Sequence, residues 1–290
     1  MEIIIKDHQI NGLLPNGVTY KDNKLTFNKN TKFDEVIKIK LKDDNNESFE
    51  VIVGDYSKIK IILEISSKEK TPHSYNFSLT LNKNSNVTYL LISDLNSEKG
   101  LIHHEFKVHR DANLELLGGL VSNKLEAKIE VELLEENANA NLKVVVVSSN
   151  ENIQKVDVNL VHKAPHTTGL MHNVGISGGN GKIILNGVEQ ILKGMNDSNA
   201  YQSLKGIITS DDAYIEVNPI LLIDEYDVIA GHGATVGRLE ELSIYYLMSR
   251  GLSKREAELL MINGLLAPVV NEISDEKLKT RFQTLVNERL

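Results

Sequence analysis

Apolar and polar residues alternate in short segments through most of residues 1–236. Alternation with a period of two is typical of β-strands that bury one face. The first apolar residues of one series of segments recur at a nearly constant interval, which is the mark of a repeat: Ile59, Val87, Leu114, Leu142 and Leu170. The last residues of a second, interleaved series recur at almost the same interval: Leu81, Val108, Leu133, Leu160 and Gly187.

Two strand series that share one period indicate a repeat architecture. The unit is too short for a propeller blade of about 40–45 residues, and it lacks helical periodicity. Its turns carry Asn, Asp, Gly and Ser, which tolerate left-handed backbone or bond locally to it. We therefore predict a β-solenoid over residues 56–236, with a β-sandwich of strands spaced by about 8–12 residues as the alternative.

Residues 1–55 also contain strand-like segments, including "EIIIK", "KLTFN" and "FEVIVG". A bare end of a solenoid exposes strand edges and apolar layers. We expect residues 1–55 to form a β-structured cap on one end of the stack.

The period of the apolar positions changes from two to about 3.6 near position 236. Leu239, Leu242 and Tyr246 fall on one face of a helix, and Gly251 is placed to end it. This change marks the boundary of a helical subdomain over residues 237–290.

A second helix is predicted from Ser253 and Glu256, which have the spacing of a capping box. Pro268 is expected to break or restart it. A last helix from about Asp275 is predicted to present four apolar residues on one side: Leu278, Phe282, Leu285 and Val286.

Composition and charge exclude several classes of protein. The 290 residues have a net charge of −8, which argues against nucleic acid or an anionic membrane as the main partner. No apolar run is long enough to predict a membrane span. The chain has no cysteine, hence no disulfide, thiolate ligand or thiol nucleophile. The opening "MEIIIKDHQING" lacks the features of a secretory signal, and we expect a cytoplasmic protein.

Acidic residues near the end of the repeats are candidates for a carbohydrate-active site, because glycoside chemistry needs paired carboxylates. The sequence also lacks the nucleophile-elbow, P-loop and HExxH motifs. We expect these residues to be solvated turn acids: Asp211, Asp212, Glu216, Asp224, Glu225 and Asp227.

Several histidines are candidate metal ligands. His103 and His104 should point to opposite sides of one strand, so they cannot easily share an ion. The segment "HKAPHTTGLMH" carries His162, His166 and His172 and could supply two ligands, but a zinc site usually needs a third. The alternative is that these side chains are exposed or bonded to backbone.

His232 has distinct surroundings in "DVIAGHGATVG", since Gly231 and Gly233 remove the side chains on both sides. A neutral imidazole is a common ligand for iron and other transition metals. The alternative is a turn histidine bonded to backbone.

Residues 155–273 contain ordered segments that resemble the C-terminal half of the SufB/SufD proteins of the SUF iron–sulfur cluster assembly system. The segments include "HKAPHTTG", "YQSLKGIITSDDA", "DVIAGHGATVGRL" and "YYLMSRGLSKREAELL". The resemblance implies a right-handed parallel β-helix with a C-terminal α-helical subdomain. It also implies a non-catalytic scaffold, with no stably bound cofactor and with an iron–sulfur cluster held transiently in a complex.

The resemblance further implies partners and site residues. His232 matches the family's cluster-assembly histidine near a dimer interface and is a candidate metal ligand. Ala230 stands where related chains often have cysteine, which favours a SufD-like role beside a SufB-like sister subunit. The family's usual N-terminal helical domain is expected to be missing. A SufC-like ABC ATPase is expected to dock on the C-terminal helices at six residues: Tyr246, Arg250, Gly251, Leu252, Leu260 and Leu265.

Two other functions stay open at this point: a β-helical carbohydrate-active enzyme, and an oligomerising protein without an assembly role. For the isolated chain we predict a homodimer in which the last solenoid strands, about residues 215–230, pair edge to edge.

Overall fold

The computed structural model describes residues 2–6, 9–11, 14–42, 46–271 and 276–289. About 57% of the chain is β-strand, wound as a parallel solenoid of about seven turns, and three helices follow. This confirms the predicted β-helix with a helical C-terminal part, and the sandwich alternative is wrong. No helix in the described ranges is long and apolar enough to cross a membrane.

Each coil contributes one strand to each of two sheets. The strands of sheet A are β1 Glu2–Lys6, β2 Gln9–Asn11, β5 Ile37–Lys42, β7 Lys58–Ser67, β9 Asn86–Leu95, β11 Asn113–Leu120, β13 Asn139–Ser148, β15 Thr168–Ser177, β17 Ser198–Ile208 and β19 Val228–Arg238. The strands of sheet B are β3 Val18–Lys21, β4 Lys24–Phe27, β6 Asn46–Val53, β8 His73–Leu81, β10 Gly100–Val108, β12 Lys124–Leu133, β14 Ile153–His162, β16 Lys182–Ile191 and β18 Tyr214–Ile223.

Coils pair in parallel and stack their inward residues in columns. The core consists mainly of Ile, Leu and Val from both sheets, and full burial of one such side chain stabilises the fold by about 1.5–3 kcal/mol. Asn84, Asp111 and Asn137 take left-handed backbone at successive coil turns. This confirms the expected turn chemistry, since short polar side chains tolerate that conformation.

The residues of the two repeating series are offset from the observed pairing at four steps because the coils differ in length. Leu114 pairs with Ala140 rather than with Leu142. Leu170 lies opposite the outward Asn141, and Met171 takes the inward place. In sheet B, Leu133 pairs with His162 rather than with Leu160. In the last of these steps Leu160 pairs with Glu189 rather than with Gly187.

The end of the solenoid formed by residues 1–55 has the strands that its sequence predicts. The hairpins β1–β2 and β3–β4 are antiparallel, whereas β5 and β6 pair in parallel with the coils that follow. The sheets therefore continue into this region and end in chain reversals.

Helices α1 Glu241–Ser249, α2 Lys254–Val270 and α3 Glu276–Arg289 follow the solenoid. Gly251 has a φ of +100°, and Ser253 and Glu256 exchange the hydrogen bonds of a capping box, so both predictions are confirmed. The predicted break at Pro268 is wrong: α2 continues to Val270, and Pro268 lies in the last turn of α2, where little helix follows that a kink could redirect.

Helices α2 and α3 cover part of the outer face of sheet A. Phe282 is buried against Gly119, where a Cβ atom would lie 2.3 Å from its ring. Arg281 of α3 forms an ion pair with Glu64 of β7. Asp275, the predicted start of the last helix, and the side chain of Leu278 lie outside the described residues.

Candidate functional site at the open end of the solenoid

His232 lies on β19, the last strand of sheet A, opposite Gln202 of β17. Gln202 ends a column of buried inward residues that runs through successive coils: Ile61, Tyr89, Leu116, Leu142, Met171 and Gln202. His232 therefore occupies the next inward position. Because no coil follows β19 in the described chain, this position is exposed instead of buried. The alternative of a turn histidine is wrong, since residue 232 is in a strand.

The backbone around His232 is uncrowded. A Cβ atom added at Gly231 would meet only the ring of Tyr201, at 3.6 Å, and one at Gly233 would meet nothing within 4 Å. Another chain or a ligand could approach the strand closely here.

Both strands of the last coil are sheet edges within the described residues: β19 pairs only with β17, and β18 pairs only with β16. Exposed edges of this kind are templates for pairing with another chain. Pro219 in β18 has no N–H to offer a further strand, so β19 is the better edge for pairing. Large apolar side chains are exposed around this end: Ile220, Leu222, Tyr226, Ile229 and Val236.

The interior of the coils next to His232 is polar, which the sequence did not predict. His162 and Glu189 are both completely buried, and His162 Nε2 lies 3.5 Å from Oε1 of Glu189. On its other side, His162 Nδ1 is 2.7 Å from the hydroxyl of Thr167, which is 3.0 Å from that of Ser198. Gly169 leaves room for the pair, since a Cβ there would lie 2.4 Å from Oε1 of Glu189.

Burial keeps this pair uncharged at neutral pH. Desolvation raises the pKa of Glu189 to about 8 and lowers the pKa of His162 to about 4. Glu189 Oε2 and Gln202 Oε1 are buried and have no partner among the described residues, while Gln202 Nε2 donates to the carbonyl of Ile220 at 2.7 Å. Such groups are the usual positions of internal water.

Among the residues that the structure describes, His162, His166 and His172 do not converge on one metal site. His162 is buried, His166 has a left-handed φ of 57° at an exposed turn, and His172 is exposed on β15. The positions of these three side chains give no support to the two-ligand loop and agree with the alternative of bonded or exposed histidines. His103 is half-exposed and His104 is buried, so their opposite orientation is confirmed.

The candidate acids of a carbohydrate site are bonded in turns or on the surface. Backbone N–H groups of Tyr226, Gly194 and Asp227 lower the pKa of Glu225. Asn218 and Tyr214 lower the pKa of Glu216 through their hydrogen bonds. A general acid needs a raised pKa, which neither carboxylate has, and the arrangement gives no support to glycoside chemistry.

The helices next to the open end carry a second exposed apolar surface, the α1–α2 surface, which we define by Leu242, Tyr245, Tyr246, Met248 and Leu260. Helix α1 has no buried residue, and the guanidinium of Arg250 lies 5.2 Å from the ring centroid of Tyr246. Leu252 is half-buried beyond Gly251 at the α1–α2 corner, and Leu265 packs towards sheet A. Sequence periodicity did not predict the exposure of Leu242 and Tyr245.

A β-solenoid with a histidine at its open end and a helical subdomain beside it is an architecture suited to assembly with other chains. The family model described as "SUF system FeS cluster assembly, SufBD core domain" matches residues 40–265. The chain belongs to this SufBD core family.

Curated relatives agree with this assignment. The iron–sulfur cluster assembly protein SufD of Bacillus subtilis is 33% identical over 210 residues, which are 71% of this chain and 48% of the relative. SufBD family proteins of Mycobacterium bovis and Staphylococcus epidermidis are 25% identical over 72% and 70% of this chain and 25% and 44% of the relatives. The chain thus spans about half or less of the relatives it matches.

Proposed function

We propose that the chain is a non-catalytic, SufD-like scaffold subunit for iron–sulfur cluster assembly. Membership of the SufBD core family supports this role, and the position of His232 is the observation that carries it. An inward column of the solenoid ends at this imidazole, on an unpaired strand edge. The cluster is cargo of the complex and not a resident cofactor of this chain.

In this proposal the open end of the solenoid is a subunit interface. A second copy, or a cysteine-bearing SufB-like sister, pairs along β19 and covers the exposed apolar residues. His232 then offers one nitrogen ligand to iron. Because the chain has no cysteine, thiolate ligands and any persulfide come from other subunits.

The α1–α2 surface is the proposed docking site of a SufC-like ABC ATPase. Exposed aromatic residues and an arginine are the residue types that dominate binding at interfaces, and Tyr246 and Arg250 supply them, while Leu260 adds exposed apolar area. Leu252 adjoins this surface at the α1–α2 corner, and Leu265 packs between α2 and sheet A. Gly251 permits the sharp turn between the two helices. The adjoining solenoid end places this surface beside β19, so motion of the ATPase would act on the subunit interface.

Co-purification with a SufC-like ATPase tests the docking site. Joint replacement Tyr246→Ala and Leu260→Ala should weaken binding at least about tenfold. The matched control is Ile153→Ala, a similarly exposed apolar residue on β14, which should leave binding unchanged. Equal binding by both variants would place the ATPase elsewhere.

Reconstitution tests the role of His232. His232→Ala should lower the amount of iron–sulfur cluster formed in the assembled complex, whereas replacement of the exposed turn residue His166 by Ala should not. Unchanged cluster formation with His232→Ala would remove the imidazole from the proposed site.

A further inference from the structure

A second group of metal-ligand side chains lies on the outer face of sheet B, on different strands from His232. His103 and Glu105 are two residues apart on β10, so both point outward. Glu130 lies directly opposite Glu105 on β12. His103 Nε2 is 2.6 Å from Oε2 of Glu130 and 3.6 Å from Oε1 of Glu105.

The 2.6 Å contact between His103 and Glu130 is a hydrogen bond, and the same two atoms can bind one ion when the shared proton is released. Zinc–nitrogen and zinc–oxygen bonds are about 2.1 Å long, so two ligands on one ion lie about 3 Å apart. One donor atom from each of the three residues lies within 4.8 Å of the other two. Small side-chain rotations are therefore enough to bring the three donor atoms within bonding distance of a single ion.

The charges around the group also favour a cation. Two carboxylates directly opposite each other on neighbouring strands repel. Lys128 bonds Oε1 of Glu130 at 2.8 Å, while Oε2 of the same carboxylate faces His103. Lys128 thus offsets part of the negative charge without occupying the oxygen that would bind an ion.

The backbone holds the three side chains in place, because β10 is paired along its whole length with both β8 and β12. Donors on hydrogen-bonded strands are better fixed than donors on loops. All three side chains are partly exposed, at 30–42%, so water can fill the remaining coordination positions.

We propose that His103, Glu105 and Glu130 bind one divalent transition-metal ion. One imidazole and two carboxylates favour ions that accept both nitrogen and oxygen ligands, such as Zn²⁺, over Ca²⁺ or Mg²⁺. The site is independent of the proposed cluster-assembly role, since none of its residues lies in the last coil or in the helices.

Calorimetric titration of the purified full chain with Zn²⁺ tests this site. His103→Ala and Glu130→Gln should each weaken binding of one ion at least about tenfold. The matched control is His109→Ala: His109 Nδ1 lies 3.1 Å from Glu135, but no second carboxylate converges on it in the described ranges. This control and His232→Ala should both retain the ion.

Retained binding in His103→Ala would overturn the proposal, as would equal loss in the His109→Ala control or loss in His232→Ala. Circular dichroism checks that each variant is folded. If His103→Ala does not fold, Glu105→Gln serves in its place, and full Zn²⁺ affinity in that variant likewise overturns the proposal.

Discussion

The two ends of the solenoid differ in how their edges and interiors are covered. At the N-terminal end the sheets finish in antiparallel hairpins, and the inward residues Leu25 and Phe27 are completely buried. At the C-terminal end β18 and β19 are parallel edge strands, and the inward residues Leu221 and His232 remain accessible. The first end finishes in antiparallel hairpins, and we expect these to end the stack, whereas the second has the surface expected of an interface.

The two ends also differ inside. The hairpin end has aromatic and aliphatic neighbours such as Phe27, Phe49 and Val53. The coils below His232 contain the buried pair His162–Glu189 together with Gln202. Buried polar groups cost free energy unless they are bonded. We therefore expect the open C-terminal end to be less stable than the hairpin end, which we call the closed end.

The largest expected effect comes from truncation at the closed end. Phe27→Ala should destabilise the chain by about 3–5 kcal/mol, because it leaves a cavity in a fully packed region. Leu221→Ala at the open end should cost only about 1–2 kcal/mol in the isolated chain, because its side chain is already partly hydrated. Urea unfolding of both variants measures the difference, and equal losses would show that the two ends are packed alike.

The next effect concerns the pH dependence of the polar interior. The folded pKa of Glu189, about 8, lies above its ordinary value of 4.5, so its contribution to stability is present below pH 4.5 and is lost as pH rises through 8. The folded pKa of His162, about 4, lies below its ordinary value of 6.5, so its contribution is present above pH 6.5 and is lost as pH falls through 4.

Glu189→Gln keeps the shape and removes the ionisation. Relative to the unaltered chain, it should gain on the order of 1–3 kcal/mol of stability between pH 5–6 and pH 8–9, as measured by denaturation at each pH. The control is Glu225→Gln, whose carboxyl is half-exposed and has a pKa lowered by backbone hydrogen bonds. A flat difference between Glu189→Gln and the unaltered chain across this pH range would contradict the buried, protonated carboxyl.

A smaller effect is expected where the helices join the open end. Ser253→Ala removes the capping box of α2 and should cost about 1 kcal/mol. The control is Ser249→Ala, whose hydroxyl donates only to the carbonyl of Tyr246 within α1. Hydrogen exchange at the first turn of α2 should increase in Ser253→Ala alone, and equal exchange in both variants would show that the cap is not needed.

Much of the fold follows from periodicity. The alternation of apolar residues predicted two strands per coil, and the opposite orientation of His103 and His104 follows from the same rule. The capping box at Ser253 and the glycine at position 251 located the helix ends, because these residues act through local backbone bonds.

The polar interior could not be predicted, because an alternation rule assigns polar residues to the outside. The series of apolar residues therefore contains Leu160, although His162 is the residue that pairs with Leu133, and nothing in the sequence links His162 with Glu189 of the next coil. The glycine neighbours of His232 mark it in the sequence as a candidate. Its inward position depends on its pairing with Gln202. The small residues of β19 lack the alternation of apolar and polar residues from which that pairing could be predicted.

The central claim is that β19, with His232, lies at a subunit interface. The absence of native cysteine allows a direct measurement: Ala234→Cys places one thiol on β19, and Asn180→Cys on an exposed turn is the control. Two cysteines form a disulfide only when their Cα atoms are within about 7 Å. Mild oxidation should give a covalent dimer through Ala234→Cys, or a bond to a cysteine placed on the paired strand of a sister subunit. Absence of either product above the Asn180→Cys control, in Ala234→Cys and also in Ala230→Cys and Val236→Cys, which sample other pairing registers of β19, would contradict the account.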